Sequence, residues 1–378
     1  MGLATSIIDG LDSIMDGIGS SMKQGFADYC DLETIDDEHT LVAKDGSLCT
    51  IVDIRGSQRL RSGSGVDVMV DRLVSSLQSS FEKRGHAMQA FFEVDPDRTR
   101  YEINEMQKLA RSTLQRLDMD MGDLLDERET NLCEWVSSER CCFVLWTTPD
   151  VLVKSERNEE KKARMERIKG KVITKHSQNP LAAVAMIRNR HAAYVASFVR
   201  ELGALGVVGE KMKADRALRE VRQSVDPGFT SPEWVPSLPG QVVRPSIRNN
   251  QAGKEEWEIM WPRLSWQLCP RDARIVDHNH VQVGDRIYAP IYIDLFQKDS
   301  SRFAALFGRA MDAGLPWRVS FLVEGGGLDD FRFKGMAASL MGMVGSGNKA
   351  IDRSIKQLTA LQQGDDKLTI VQLRACLC

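Results

Sequence analysis

Nowhere does the sequence hold an uninterrupted apolar run of about eighteen residues, which excludes a helix that spans a bilayer. No sign of charge prevails either. The 50 Lys and Arg stand against 53 Asp and Glu, so any attraction to nucleic acid or a membrane surface must be local. Cysteine is scarce, with eight residues in 378. Several of them sit inside apolar strands, where a free thiol packs as a small hydrophobe. No signal peptide precedes them, and a reducing cytoplasm is the expected compartment.

Catalytic and ligand-binding patterns are also missing. A phosphate-cradling loop, G-x-x-x-x-G-K-[ST], is approached at Gly342–Ala350. Asn348 intrudes between Gly347 and Lys349, and Ala350 supplies no hydroxyl for magnesium. A glycine-rich loop between two helices explains this stretch better, with Asn348 as an N-cap. His278-x-His280 has a chelating spacing but no completing ligands, and Cys141-Cys142 and Cys376-x-Cys378 lack the C-x₂-C zinc form. No G-x-S-x-G elbow occurs, and Gly325-Gly326-Gly327 fits neither dinucleotide nor kinase loops. No catalytic, cofactor-binding or metal-binding residue is therefore assigned, and this chain is not expected to be an enzyme.

What the sequence does contain is a pattern used twice. Thr40–Ala43 and Leu48–Ile54 flank Asp45-Gly46, the helix Val66–Phe81 follows, and Ala87–Val94 returns as a strand. Later, Val281–Val283 and Ile287–Phe296 flank Gly284-Asp285, a short helix is built on Phe303, Leu306, Phe307 and Ala310, and Trp317–Val323 returns. Glycine in such turns supplies the positive φ that a tight hairpin needs. The expected class is α+β, with two hairpin–helix–strand units and an inserted helical lobe.

The segments divide as follows. Residues 1–30 are an amphipathic N-terminal segment, where Leu3, Ile7, Leu11, Ile14, Ile18 and Met22 recur at helical steps. Such a stripe docks on its own domain, on a partner or on a membrane surface. Residues 31–150 form the first unit, with helical stretches at Tyr101–Leu117 and Asp123–Val136. Residues 151–226 are charged and then helical. The charged stretch reads first as a solvated helix, which Glu160 supports four residues before Arg164; as an alternative, Lys161, Lys162, Arg164, Lys169 and Lys171 offer a contact for phosphate or lipid headgroups. In the helical part His191 shares an apolar face with Val184, Ile187, Tyr194, Phe198 and Leu202. Such a histidine is more often a satisfied core residue than a ligand. Residues 227–272 form a Pro/Trp-rich connector; tryptophans in irregular chain usually bury it against a domain, and Trp234, Trp257 and Trp261 are also candidate interface aromatics. Residues 273–378 hold the second unit, which ends inside a strand-like pattern as though at a junction.

Three stretches resemble one family: Tyr29–Thr34, Thr40–Ser47 and Asn348–Lys356. They are similar to the amino-terminal region of the large ATPases of type IVB secretion and conjugation systems (the family of IcmB/DotO and TraU), relatives of the VirB-class secretion ATPases. The resemblance implies an α+β region that precedes a RecA-like motor. ATP and magnesium would be expected only in that motor, whose Walker motifs are not in this sequence. It also implies assembly at the cytoplasmic face of the inner membrane, with self-association, inner-membrane components and a second ATPase as partners. Peripheral membrane contact fits the amphipathic segment. A nucleic-acid-contacting module of a DNA-transfer system, using the basic stretch Lys161–Lys175, is the alternative.

Overall fold

The computed structural model describes residues 25–59, 62–82, 84–169, 177–226, 228–229, 231, 233–240, 246–249, 255–258, 261–277, 280–289, 315–326 and 372–377. The stripe at Leu3–Met22, the Gly342–Ala350 loop, and the helices expected around Phe303 and beyond Gly327 lie outside them.

Strands β1 (Leu32–Ile35), β2 (Leu41–Ala43) and β3 (Leu48–Ser57) are followed by helix α1 (Gly63–Phe81) and strand β4 (His86–Asp95). Helices α2 (Pro96–Arg116) and α3 (Gly122–Trp135) come before β5 (Ser138–Thr147). Next are α4 (Lys154–Ile168), α5 (Arg188–Ala204), β6 (Val207–Lys211) and α6 (Ala214–Val225). The strand pair β7 (Ser246–Asn249) and β8 (Glu255–Glu258) precedes the short helix α7 (Leu264–Leu268). Last are β9 (Ala273–Asp277), β10 (His280–Val283), β11 (Arg286–Tyr288), β12 (Trp317–Glu324) and β13 (Gln372–Leu377). The fold is α+β.

One eight-stranded sheet organises these elements, in the order β1-β2-β3-β5-β4-β12-β13, with β6 also on β3. β3 is long enough to serve two partners on one edge. Leu48 and Cys49 pair with β2, and the stretch from Val52 to Ser57 pairs with β6. The Asp45-Gly46 turn has the expected form. Gly46 lies at φ +91°, and the Asp45 carboxylate accepts from the Ser47 amide at 2.8 Å and hydroxyl at 2.7 Å. A Cβ on Gly46 would also come within 2.6 Å of Val184, so that position needs glycine for two reasons.

Side chains alternate along the sheet, as the strand period of two requires. On one face Cys49, Ile51, Cys142, Val144 and Trp146 pack against α6 residues Ala217 and Leu218 and α7 residues Leu264 and Leu268. On the other, Val52, Phe143 and Leu145 meet Leu77 and Phe81 of α1 and Tyr194, Phe198 and Leu202 of α5. A layer of helix thus covers each face.

Two expectations about organisation need correction. The return strand of the second unit does not close a sheet of its own. β12 pairs with β4 from Trp317↔Val94 to Glu324↔Ala87, and β13 pairs outside it. The edge of β4 would otherwise present unpaired backbone groups, and β12 places Trp317 and Val319 against Phe92 and Val94. The hairpin at Gly284-Asp285 instead joins β9 in a separate three-stranded sheet, β11-β10-β9.

Nor is 151–226 a separate lobe, because α5 and α6 are the layers on the sheet and β6 is one of its strands. β6 escapes a sequence reading because it is five residues long with glycine at its centre. That glycine has a cause, since a Cβ on Gly209 would sit 2.8 Å from Leu202 and 3.3 Å from Val52. α5 approaches β6 too closely for a side chain. Among the described residues, no helix is long and apolar enough to cross a membrane.

Candidate functional site

An exposed apolar surface lies on the α2–α3 hairpin, and its local chemistry explains why it projects. Asp95 caps α2 by accepting from the Asp97 amide at 3.1 Å, with Pro96 in the first turn, where a missing N–H costs little. Thr99, Ile103 and Gln107 are buried at steps of four, and the Ser138 amide donates to Thr99 Oγ1 at 2.9 Å. This fixes the base of the hairpin to β5. At its far end Asp118 takes φ +54° and the Met119 amide returns to the Leu114 carbonyl at 3.0 Å, which ends α2. Arg111 reaches across to Asp126 at 2.8 Å and Glu129 at 3.8 Å, and Arg100 reaches Glu129 at 3.5 Å.

The zipped pair leaves its apolar residues outward. Met106 is 72% exposed and Leu109 80%, and Leu117, Met119 and Leu124 are also exposed. Met106, Leu109, Thr113 and Leu117 follow one another at steps of three and four, so they line one side of α2. A groove of about 410 Å³ runs between the helices, lined by Leu109, Leu114, Met121, Leu124 and Leu125 among others. Scattered exposed apolar residues are ordinary, but a contiguous set around a groove marks a contact surface. Its charges are divided too: α2 carries five basic and three acidic side chains, and α3 one basic and five acidic. Part of that division is spent within the hairpin, where Arg100 and Arg111 pair with Glu129 and Asp126.

A different kind of cavity, of about 600 Å³, lies between the sheet and α6. Arg140 of β5 donates through Nε to Glu93 Oε2 at 2.7 Å, through Nη2 to the same oxygen, and through Nη1 to Glu220 and, at 3.1 Å, to Gln223. Burial works against its charge, but Glu93 and Glu220 outweigh that and hold its pKa above the ordinary value. Arg216 pairs with Asp53 at 2.7 Å, and Arg98 with Glu102 at 3.5 Å. Burial raises the Cys141 thiol and pushes Cys142 up to about 12, so both thiols stay protonated near neutrality. The charged groups face one another across the cavity, and the effect of the arrangement is to tie α6 to β3, β4 and β5.

On the opposite face His191 has both ring nitrogens occupied. Thr50 Oγ1 lies 2.9 Å from Nε2 and Thr147 Oγ1 2.9 Å from Nδ1. Thr147 Oγ1 is in turn 3.1 Å from His86 Nδ1. Burial, with His86 adding to it, lowers the His191 pKa to about 4. The reading of His191 as a satisfied core residue is the one this geometry supports.

The other candidates are dispersed. Trp234 is half-buried and used inside the chain. It meets Phe229 edge-on at 5.8 Å with Arg222 4.6 Å above its ring, and its carbonyl accepts from Arg219. Trp261 is half-buried, its carbonyl accepting from the Gln178 amide at 2.8 Å. Trp257 lies on β8, paired with Ile247. On α4, Lys161 and Lys162 are exposed and Arg164 is half-buried; Lys169, also exposed, pairs with Glu166 at 3.6 Å just past the helix end. Lys171 lies outside the described residues, as do Leu3, Ile7, Leu11, Ile14, Ile18 and Met22.

Glu160 departs from its expected role beside Arg164. It is buried, pairs with Arg167, and accepts from the amides of Ala185 and Met186 at 3.3 Å each. The α2–α3 surface was missed because its stripe resembles a core face. Periodicity marks an apolar side of a helix without saying what covers it. No family model matches this chain, and no curated protein is significantly similar to it.

Proposed function

We propose that this chain is a non-catalytic assembly domain of a type IVB secretion or conjugal-transfer ATPase, placed at the cytoplasmic face of the bacterial inner membrane. The α2–α3 hairpin docks a neighbouring copy, which builds the platform on which inner-membrane components and a second ATPase assemble. The observation that carries this reading is the apolar groove on a projecting, ion-paired hairpin with opposite charge on its two helices. Burial of such a groove provides the association energy, and the flanking charges set the orientation. The resemblance of Tyr29–Thr34, Thr40–Ser47 and Asn348–Lys356 to the secretion ATPases supplies the context.

A photo-crosslinking residue at Leu109 tests the docking. The expected result is a cross-linked pair of copies whose adduct maps to α2 or α3 of the second copy. Should the same probe at Val208, exposed on β6, give as much product as at Leu109, the hairpin is not the docking surface.

A further inference from the structure

The cavity between the sheet and α6 changes character along its length. On that face β5 presents Arg140, Cys142, Val144 and Trp146 in turn. Register sets Glu93 beside Arg140, Phe91 and Asp53 beside Cys142, Ile51 beside Val144, and Cys49 beside Trp146. Six residues of strand cover about 20 Å, so one end is ionic and the other apolar. Leu41, Cys49 and Met212 close the apolar end, all of them buried. Phe91, Cys142, Val144 and Trp146 are only half-buried, although β4 and β5 are inner strands of the sheet. The void over Ile51, Val144 and Trp146 leaves them uncovered and offers water few bonds.

At the ionic end most charges are spent on one another. Arg140 holds Glu93 and Glu220, and Asp53 is shared by Arg55 at 3.1 Å and Arg216 at 2.7 Å. Arg98, which also lines the cavity, is held more loosely. Its side chain is 17% exposed, whereas its carboxylate partner Glu102 is 39% exposed and 3.5 Å away. Its other acceptor is the uncharged Gln223 at 3.4 Å. Gln223 also accepts from Arg140 at 3.1 Å, which places Arg98 at the ionic end. A largely buried cation thus faces the cavity with its counter-charge at the solvent side.

We propose that this cavity is a binding site for a medium-chain carboxylic acid, with the carboxylate on Arg98 and the chain lying over Phe91, Val144 and Trp146. A carboxylate matches the flat fork of a guanidinium. As it takes Arg98, the more exposed Glu102 turns to solvent and the wall keeps its charge balance. A phosphate monoester brings up to two charges, more than Arg98 balances. An alkylammonium would set a second cation beside Arg98. Burial of the chain supplies the affinity, and a volume of about 600 Å³ lies in the range that small organic ligands fill. The inference does not rest on the assembly reading.

The test is a titration of the full chain with 10-bromodecanoate below its micelle concentration, because bromine quenches a nearby indole. Trp146 is one of seven tryptophans, so Trp146→Phe is titrated beside the wild type. The expected result is saturable quenching at one equivalent in the wild type. In Trp146→Phe most of the quenching should vanish while calorimetry still detects decanoate. Arg98→Gln should weaken decanoate on the order of tenfold, through loss of a charged hydrogen bond, and leave the uncharged 1-decanol unaffected. The wild-type and Trp146→Phe titrations need no change at Arg98, so a misfolded Arg98→Gln leaves the test intact. Absence of saturable quenching in the wild type would overturn the proposal. So would full quenching in Trp146→Phe, or decanoate bound as tightly by a folded Arg98→Gln as by the wild type.

Discussion

At the scale of single residues, the buried polar groups make the sharpest predictions. His191 is 2% exposed and titrates near 4 in the fold, against about 6.5 for an unperturbed histidine. The unfolded chain therefore takes up this proton first. The stability that His191 contributes is complete above pH 6.5 and is lost as the pH falls towards 4. Between pH 7.5 and 5 the loss amounts to roughly 2 kcal/mol. Urea melts across that range should show it, and His191→Gln should flatten the slope. An unchanged slope would mean that His191 is protonated in the fold. Arg140 is a second case. Its removal leaves Glu93 buried without a counter-charge, so Arg140→Ala should cost about 3–5 kcal/mol in a denaturant melt. Arg167, more exposed in its pair with Glu160, should cost less.

At the scale of elements, the close approaches matter most. Gly85 lies at φ +113° and a Cβ there would fall 2.3 Å from the Val151 backbone nitrogen, while its carbonyl holds the Thr148 amide at 2.7 Å. Gly85→Ala should therefore destabilise by more than about 1 kcal/mol, from backbone strain and the clash together, and a thermal melt would detect it. The hairpin surface behaves oppositely. Leu109→Glu and Leu124→Glu alter exposed positions and should leave the melt within about 0.5 kcal/mol of wild type. A large loss would mean that those side chains are part of a core.

Legibility in the sequence also divides by element. The first hairpin, α1 and β4 were readable because Asp45-Gly46 and the two periods are local signals. Helices were also foreseen where α2, α3, α5 and α6 stand. β6 was not, being short and centred on Gly209. The partner of β12 was not legible either, since strand pairing between distant segments leaves no local mark. For the same reason Trp234 could not be told from an interface residue. Its partners Arg222 and Phe229 meet it only because the chain after α6 turns back.

At the scale of the whole molecule, the described residues build an eight-stranded sheet with helices on both faces and a hairpin, α2–α3, whose outer side is exposed. The sheet faces are closed by α1, α5, α6 and α7, whereas the outer side of α2 and α3 meets solvent. Deleting residues 1–22 should weaken membrane or partner recruitment without unfolding the domain. Unchanged recruitment would remove that segment from the assembly account. The most direct measurement is sedimentation of the purified chain over a wide concentration range, beside the double variant Leu109→Glu/Leu124→Glu. The account predicts that the wild type associates as its concentration rises while the equally stable variant stays monomeric. A wild type that remains a monomer throughout, or a variant that associates just as strongly, would contradict it.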